Sequence, residues 1–410
     1  MLRTDVASGL REQFLEDGYL FPDYDRYCFA NLPHSVASLL GVDTGRTLPA
    51  DVFDGVGDED EFEHVLVVLV DGLGWNQWKR DREANAWFDE LTREARVTPL
   101  TSVYPSETAA AITTFHTGTL PAEHGVIGWD VWDPVSDEPF TALPFTAKSG
   151  GLPKGLSPED LFEAAPLYPE LGEAGIDSHH VVPFESTYEG TTAHTYESLE
   201  TLPEKVLAAI DAAENPAYTY VYIPHVDHEA HYSGTRSAAY RDTVEEVFDT
   251  VEQALSDVED AVAEETLLLL TADHGHVDTD PGRNIFLDEV VDVVDDLQCD
   301  AHGEPVLHAG SPRNLHLHLR EDRIAPVKEA IESQLDARVF SHEDVRAQQL
   351  FGDVEPSETF QRRLGDLVVT HRELGVWWSD EGLTEVGMHG GLHPDEMLTQ
   401  VAAVRLSDVV

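Results

Sequence analysis

Five short stretches carry side chains whose types and spacing could do chemistry. Asp71 stands in VLVVLVDGLG directly after an apolar run, where Gly72 and Gly74 let the backbone turn sharply. Asp227 and His231 in IPHVDHEAH also follow such a run. Their spacing of four sets an oxygen and a nitrogen donor on one helix face, as a divalent metal requires. His225 and His228 in the same stretch compete for that role. Asp273 and His274 end the run LLLLTADHGH with two adjacent titratable groups, which packing seldom needs. His389 in VGMHGGLHP is flanked by Gly387, Gly390 and Gly391, which permit close approach of backbone to a ligand or ion. In TSVYPSETAAAITTFHTGTLPAEHG, Pro105, Ser106 and Glu107 lead into a helix of small residues. The Thr108 hydroxyl then sits at or near the helix N-terminus, where free N–H groups and the dipole favour an anion. A hydroxyl placed there can attack phosphorus. Taken singly, each stretch also reads as a turn, a polar loop or a helix cap.

The elements that must position these groups follow from the apolar pattern. Continuous rather than alternating runs at Val65 to Val70, Tyr218 to Ile223 and Leu267 to Leu270 predict strands buried on both faces. Helical patterns fall at Thr108 to Phe115, Leu167 to Ala174, Ser237 to Val258 and Arg323 to Leu335. The alternation predicts an α/β fold with helices on both faces of a central sheet, and sites beyond the C-terminal ends of its strands. Within residues 301–380 the character changes, with short strands at Leu315 to Leu319, Arg338 to Phe340 and Asp366 to Thr370. That region is read as a smaller, partly inserted cap, and residues 1–300 and 381–410 as the core. Trp129 to Ser157, rich in Pro, Gly and aromatic residues, is expected to form a long ordered loop near the mouth of the site.

Composition narrows the partners. The 410 residues are 41% hydrophobic, enough for a substantial core and too many for a mainly disordered chain. Asp and Glu number 79 against 25 Lys and Arg, a formal charge of -54, which argues against general nucleic-acid binding by counterion release. Only Lys79, Lys148, Lys154, Lys205 and Lys328 are lysines; the other basic residues are Arg. This bias, with acid runs such as Asp58 to Glu63, predicts a halophilic protein with solvated acidic faces. In molar salt the Debye length falls to about 3 Å, so the negative field does not bar an anionic substrate. Cys28 and Cys299 match neither a disulfide framework nor a metal motif; they predict a reducing or redox-indifferent compartment and read as buried packing. No apolar run approaches a membrane span, and the expectation is a soluble cytoplasmic protein of unspecified oligomeric state.

Taken together, the ordered set resembles the alkaline phosphatase superfamily and, within it, the type I phosphodiesterase and nucleotide pyrophosphatase family. The order is Asp71-Gly72 after a strand, a hydroxyl at a helix start ending in Thr117-Gly118, His124-Gly125, Asp227 with His231, Asp273-His274-Gly275, and a late His389-Gly390. The resemblance spans roughly Val65 to Leu406 and implies an alkaline-phosphatase-like sheet. It also implies that the nucleophile precedes the Thr-Gly pair by nine residues, which lands on Thr108, with Ser106 in reserve. A two-metal site is implied as well: one ion held by Asp227, His231 and His389, the other by Asp71, Asp273, His274 and the Thr108 oxygen. Imidazole and carboxylate ligands without thiolate suit Zn2+, and Mn2+ or Fe is consistent with the same ligand types. Two departures bear on nucleotide specificity. Trp129 stands where the family carries an asparagine, and Ala109 where it carries an aromatic residue after the nucleophile.

The function expected from this reading is metal-dependent hydrolysis of a small phosphate ester through a covalent phospho-threonine. A diester is favoured over a monoester because no arginine lies near Thr108 in sequence to clamp a dianion; Arg313 is the distant candidate. The rivals on the same scaffold are a phosphomonoesterase or a phosphonate- or phosphosugar-handling enzyme. The rival of another class is a non-catalytic metal- or phosphate-binding protein. Trp129, Trp132 and Arg313 are the candidates to shape the substrate pocket.

Overall fold

A computed structural model describes residues 1–56, 62–185, 188–214 and 216–410, with the side chain of Glu381 left aside. Of the acidic run Asp58 to Glu63, residues 58–61 lie outside the described residues. The centre is a seven-stranded sheet in the order Arg96–Thr101, Leu398–Arg405, Thr266–Thr271, His64–Val70, Ala217–Ile223, Asp177–Val182 and Thr192–Thr195. Among these strands only Leu398–Arg405 runs against the rest.

The apolar runs are continuous because both faces of the sheet are covered. Leu66, Val68 and Val70 join one hydrophobic cluster with Val221, Ile223, Leu268 and Leu270. Val65, Val67 and Leu69 join another with Tyr218, Tyr220, Leu267 and Leu269. The first is capped by helices Leu202–Ala212 and Ala238–Ser256, the second by Leu32–Leu39 and Thr108–Thr117. Each such side chain taken out of water contributes roughly 1.5–3 kcal/mol, so the three central strands carry a large share of the core's stabilisation. Cys28 is buried as expected, whereas Cys299 is exposed. Among the described residues no helix is long and apolar enough to cross a membrane.

Strand register sets the place of the site. Val70 lies opposite Ile223, and Leu69 opposite Thr271. The three strands therefore end level, and the residues that follow them emerge at one edge of the sheet.

A second seven-stranded sheet, antiparallel throughout, runs Ala337–Ser341, Leu367–His371, Asn314–Leu317, Gly310–Ser311, Asp130–Asp133, Glu138–Thr141 and Thr146–Ala147. The segment Trp129 to Ser157 is thus no simple loop: its three short strands extend this sheet. Its strands are too short, and too broken by Pro and Gly, to show a period of two. Helix Ile324–Gln334 packs Val327 and Ile331 on the same sheet, against Leu315, Leu317 and Val369. Buried Arg363 fastens the sheet to the core, donating to Asp133 Oδ2 at 2.8 Å and to the carbonyls of Gly125 and Leu161 at 3.0 and 2.6 Å.

Candidate active site

Thr108 is the first residue of the ten-residue helix Thr108–Thr117, and Glu107 before it has extended backbone. Its Oγ1 lies 3.0 Å from His274 Nε2 and 3.4 Å from both oxygens of Asp71. Asp71 leaves its strand into a turn closed by Gly72 at φ +72°, and its carboxylate also accepts from the Tyr222 hydroxyl. Asp273 Oδ1 accepts from the backbone N–H groups of Gly72 and His274, and its Oδ2 stands 3.4 Å from His274 Nε2. These four residues form a sealed group, with 0–2% side-chain exposure for Asp71, Asp273 and His274.

The second group is borne on helix His225–Ser233 and on the glycine-rich loop after Gly387–Met388. One turn separates Asp227 from His231, whose Nε2 is 3.4 Å from Asp227 Oδ1. His389 Nε2 is 3.5 Å from the same oxygen and 3.3 Å from His231 Nε2. The glycine loop is held by Ser106, whose hydroxyl donates to Gly391 O and accepts from Gly390 N–H while its carbonyl faces His389 Nδ1. Ser106, the reserve nucleophile, is therefore fully engaged as a strut.

All seven residues singled out in the sequence, Asp71, Thr108, Asp227, His231, Asp273, His274 and His389, come together. One ligand atom each of Asp71, Asp227 and His274 lies within 4.8 Å of the others, and so do those of Asp227, His231, His389 and a residue not anticipated, His276. Neither His225 nor His228 joins these groups: His225 is half-buried beside Tyr196, and His228 is exposed against Tyr232. His124 of the His-Gly pair is packing, bound to Thr114 Oγ1 at 3.0 Å and to Val126 N–H at 3.1 Å.

Charge is poised differently in the two groups. Burial, then the charges of Asp273 and Asp227, push the Asp71 carboxyl well above the usual carboxylate range. Burial is the largest single influence on Asp227 and acts in the same direction, but the charge and contacts of His231, with those of His276 and His389, together outweigh it and hold that carboxyl well below the usual range. Burial lowers both His274 and His389, leaving neutral imidazoles. Asp227 Oδ1, Asp273 Oδ2 and His276 Nε2 are buried without a hydrogen bond. Acidic oxygens and bare imidazole nitrogens facing one another, all short of a partner, fit divalent cations and little else.

A cavity of about 350 Å³ opens onto the cluster, walled by Glu107, Trp129, the Asp130–Lys148 ion pair, Ser311 and Trp377. Trp129 is 42% exposed at its mouth, while Trp132 is buried against His318 and shapes no pocket. Ala109 packs with Val126, Val131 and Phe140, so no ring follows the helix start. Arg313 lines the cavity but is already engaged within the protein. It is 1% exposed and donates to both oxygens of buried Glu396 and to the carbonyls of Leu374 and Arg372. Glu107, read in the sequence only as a helix lead-in, is buried beside Thr108. Burial raises its carboxyl to about 8, with Ser311 Oγ donating to Oε1 at 2.6 Å. Nothing in the sequence marked it, because Ser311 lies 204 residues away.

Among curated proteins no sequence matches significantly. The solved structure of murine ectonucleotide pyrophosphatase/phosphodiesterase 5, as an inactive variant in complex with AMP, superposes with a TM-score of 0.63 at 17% identity, covering 83% of this chain and 88% of that one. The human protein of the same name gives 0.62 at 18%, covering 82% and 87%. The sequence profile of the type I phosphodiesterase/nucleotide pyrophosphatase family matches residues 65–392. This chain belongs to that family, whose members are hydrolases acting on phosphoester bonds.

Proposed function

We propose that the protein hydrolyses phosphodiesters with Thr108 as nucleophile, through a covalent phospho-threonine. The observation that carries this is the Thr108 hydroxyl, at the start of a buried helix and within 3.0–3.4 Å of His274 and Asp71. Asp71, Asp273, His274 and Thr108 would hold one divalent cation and Asp227, His231 and His389 another; we assign zinc, because the donors are imidazole and carboxylate with no thiolate. When bound, such cations supply positive charge that favours the Thr108 alkoxide and stabilises the leaving oxygen.

The chain's own groups do the rest. Free N–H groups of the first helical turn orient phosphoryl oxygens beside Thr108. Thr108 Oγ attacks phosphorus in line, the P–O bond to the leaving alcohol breaks, and water entering from the vacated side frees the threonine. The diester reading rests on Arg313, whose hydrogen bonds to Glu396 and to two carbonyls leave it unable to clamp a second phosphate charge. The murine relative, inactive with a threonine replaced by alanine and complexed with AMP, supports a threonine nucleophile and a phosphate ligand.

Hydrolysis of a bis-aryl phosphate beside the matching aryl monophosphate, in molar salt with zinc or manganese, tests the proposal. Metal-dependent diester cleavage that Thr108→Ala abolishes is expected. A monoester turned over faster than the diester, or a Thr108→Ala variant as active as wild type, would overturn it.

A further inference from the structure

We propose that His276 is a fourth protein ligand of the cation held by Asp227, His231 and His389, an inference that rests on the metal centre proposed above. Three imidazole Nε2 atoms surround one carboxylate oxygen: His276, His231 and His389 lie 3.0, 3.4 and 3.5 Å from Asp227 Oδ1. Ligands about 2.0–2.1 Å from a tetrahedral zinc sit about 3.3 Å from one another, so these spacings are the edges of one such coordination sphere.

A hydrogen bond does not account for the closest of the contacts. His276 Nε2 and Asp227 Oδ1 are 3.0 Å apart but poorly aligned for a hydrogen bond, and neither atom has a well-formed one elsewhere. His276 Nδ1 faces the Gly72 carbonyl at 3.1 Å, which places the ring proton there and leaves a lone pair on Nε2. A buried lone pair against a carboxylate oxygen is costly unless a cation lies between them. The other rings are set in the same way. His231 Nδ1 meets Gly387 O at 2.8 Å, His389 Nδ1 meets Ser106 O at 3.0 Å, and His274 Nδ1 meets Gly275 O at 3.1 Å. His276 is thus oriented as the three expected ligands are.

The surrounding chain makes room for this ring and fixes it. A Cβ at Gly72 would collide with the His276 imidazole. Gln77 Nε2 donates to the His276 carbonyl at 2.8 Å. The ring is also wholly sealed, with no side-chain exposure, whereas its three companions show 12–24%. Four protein donors leave no open tetrahedral position, so substrate must enter as a fifth ligand or displace one. All four are imidazole or carboxylate, whereas the set beside Thr108 includes an alcohol hydroxyl, a weaker zinc donor, so this ion is held more tightly than that one.

X-ray absorption of the whole protein, stripped and reloaded with a single equivalent of zinc in molar salt, reads the number of imidazoles per ion. Three are expected in the wild type and two in His276→Gln, with zinc affinity lowered at least about 100-fold in competition with a chelator. Two imidazoles in the wild type would overturn the role of His276 while leaving the metal centre intact; where a count of one places the first equivalent beside Thr108, a total of three rather than four imidazoles over two equivalents overturns it equally. A wild type that binds no zinc removes both. Because the wild-type count decides the matter, a variant that folds poorly does not spoil the test. Where His276→Gln does fold, unchanged affinity and an unchanged imidazole count also overturn the proposal.

Discussion

The two halves of the cluster are built on different principles. Asp71, Asp273 and His274 follow directly from buried strands, are sealed from solvent, and keep their places through strand register. Asp227, His231 and His389 ride on a helix and a glycine loop at the cavity wall, with side chains 12–24% exposed. In the sealed half carboxylates crowd one another and Asp71 is driven towards its neutral form; in the open half imidazoles hold Asp227 as an anion. The sealed half surrounds the Thr108 hydroxyl, the proposed nucleophile, and the more exposed half lines the cavity.

The largest expected effect lies in the sealed half. Thr108→Ala should lower kcat for a diester by about 10⁴-fold or more while leaving the melting temperature near that of the wild type. Residual turnover within tenfold of wild type would show that the sealed half does not house the nucleophile.

Next comes the support of the open half. Arg313 and Glu396 form a buried pair beneath the His389 loop, at 2.6 Å, where a Cβ on Gly391 would meet both side chains. Arg313→Met should cost about 3–5 kcal/mol by leaving Glu396 unpaired. Diester KM in the folded fraction should stay within a few-fold of wild type; a KM raised a hundredfold would restore Arg313 as a substrate ligand.

A smaller contrast separates the two acids in the metal-free protein. Asp71→Asn mimics the neutral form that burial and its acidic neighbours already favour, so thermal unfolding at neutral pH should be unchanged or slightly raised. Asp227→Asn removes the anion paired with His231 and should lower the melting temperature. Equal shifts from the two variants would mean that the halves are not poised differently.

The smallest effect concerns imidazoles buried without carboxylates. Burial lowers His124 and His316 to about 3 and His318 to about 4. Above about pH 6.5 neither folded nor unfolded chain carries a proton there, and stability is indifferent to pH. Below it the unfolded chain takes up protons that the folded one refuses. Each histidine then costs up to about 1.4 kcal/mol per pH unit until its folded value is reached. Denaturant unfolding at pH 7.5, 6.0 and 5.0 should show this slope, and His316→Asn should reduce it by roughly one proton. An unaltered slope would sink the assignment to His316.

Much of this was legible in the chain because the strongest signals are local. The unbroken apolar runs marked strands buried on both faces, and a carboxylate or imidazole just past each run marked the sheet edge where they meet. Where partners are distant, the reading stopped short. Arg313 stayed open as a distant phosphate clamp because its partner Glu396 is 83 residues away, and Glu107 gave no sign of Ser311. Residues 129–157 suggested a loop because strands two to four residues long, completed by partners near 310, have no period of their own.

His276 draws the line between the two kinds of information. In LLLLTADHGH it is one more histidine after a strand, two positions past an expected ligand, and nothing local distinguishes it from a turn residue. The sequence by itself determined which residue types follow which strands, because burial on both faces demands uninterrupted apolar runs and places polar groups only at their ends. The tertiary structure alone decided which of those groups lie close enough to share an ion, which are struts and which wall the cavity. Those roles depend on strand register and on contacts between residues a hundred or more positions apart, to a few tenths of an ångström.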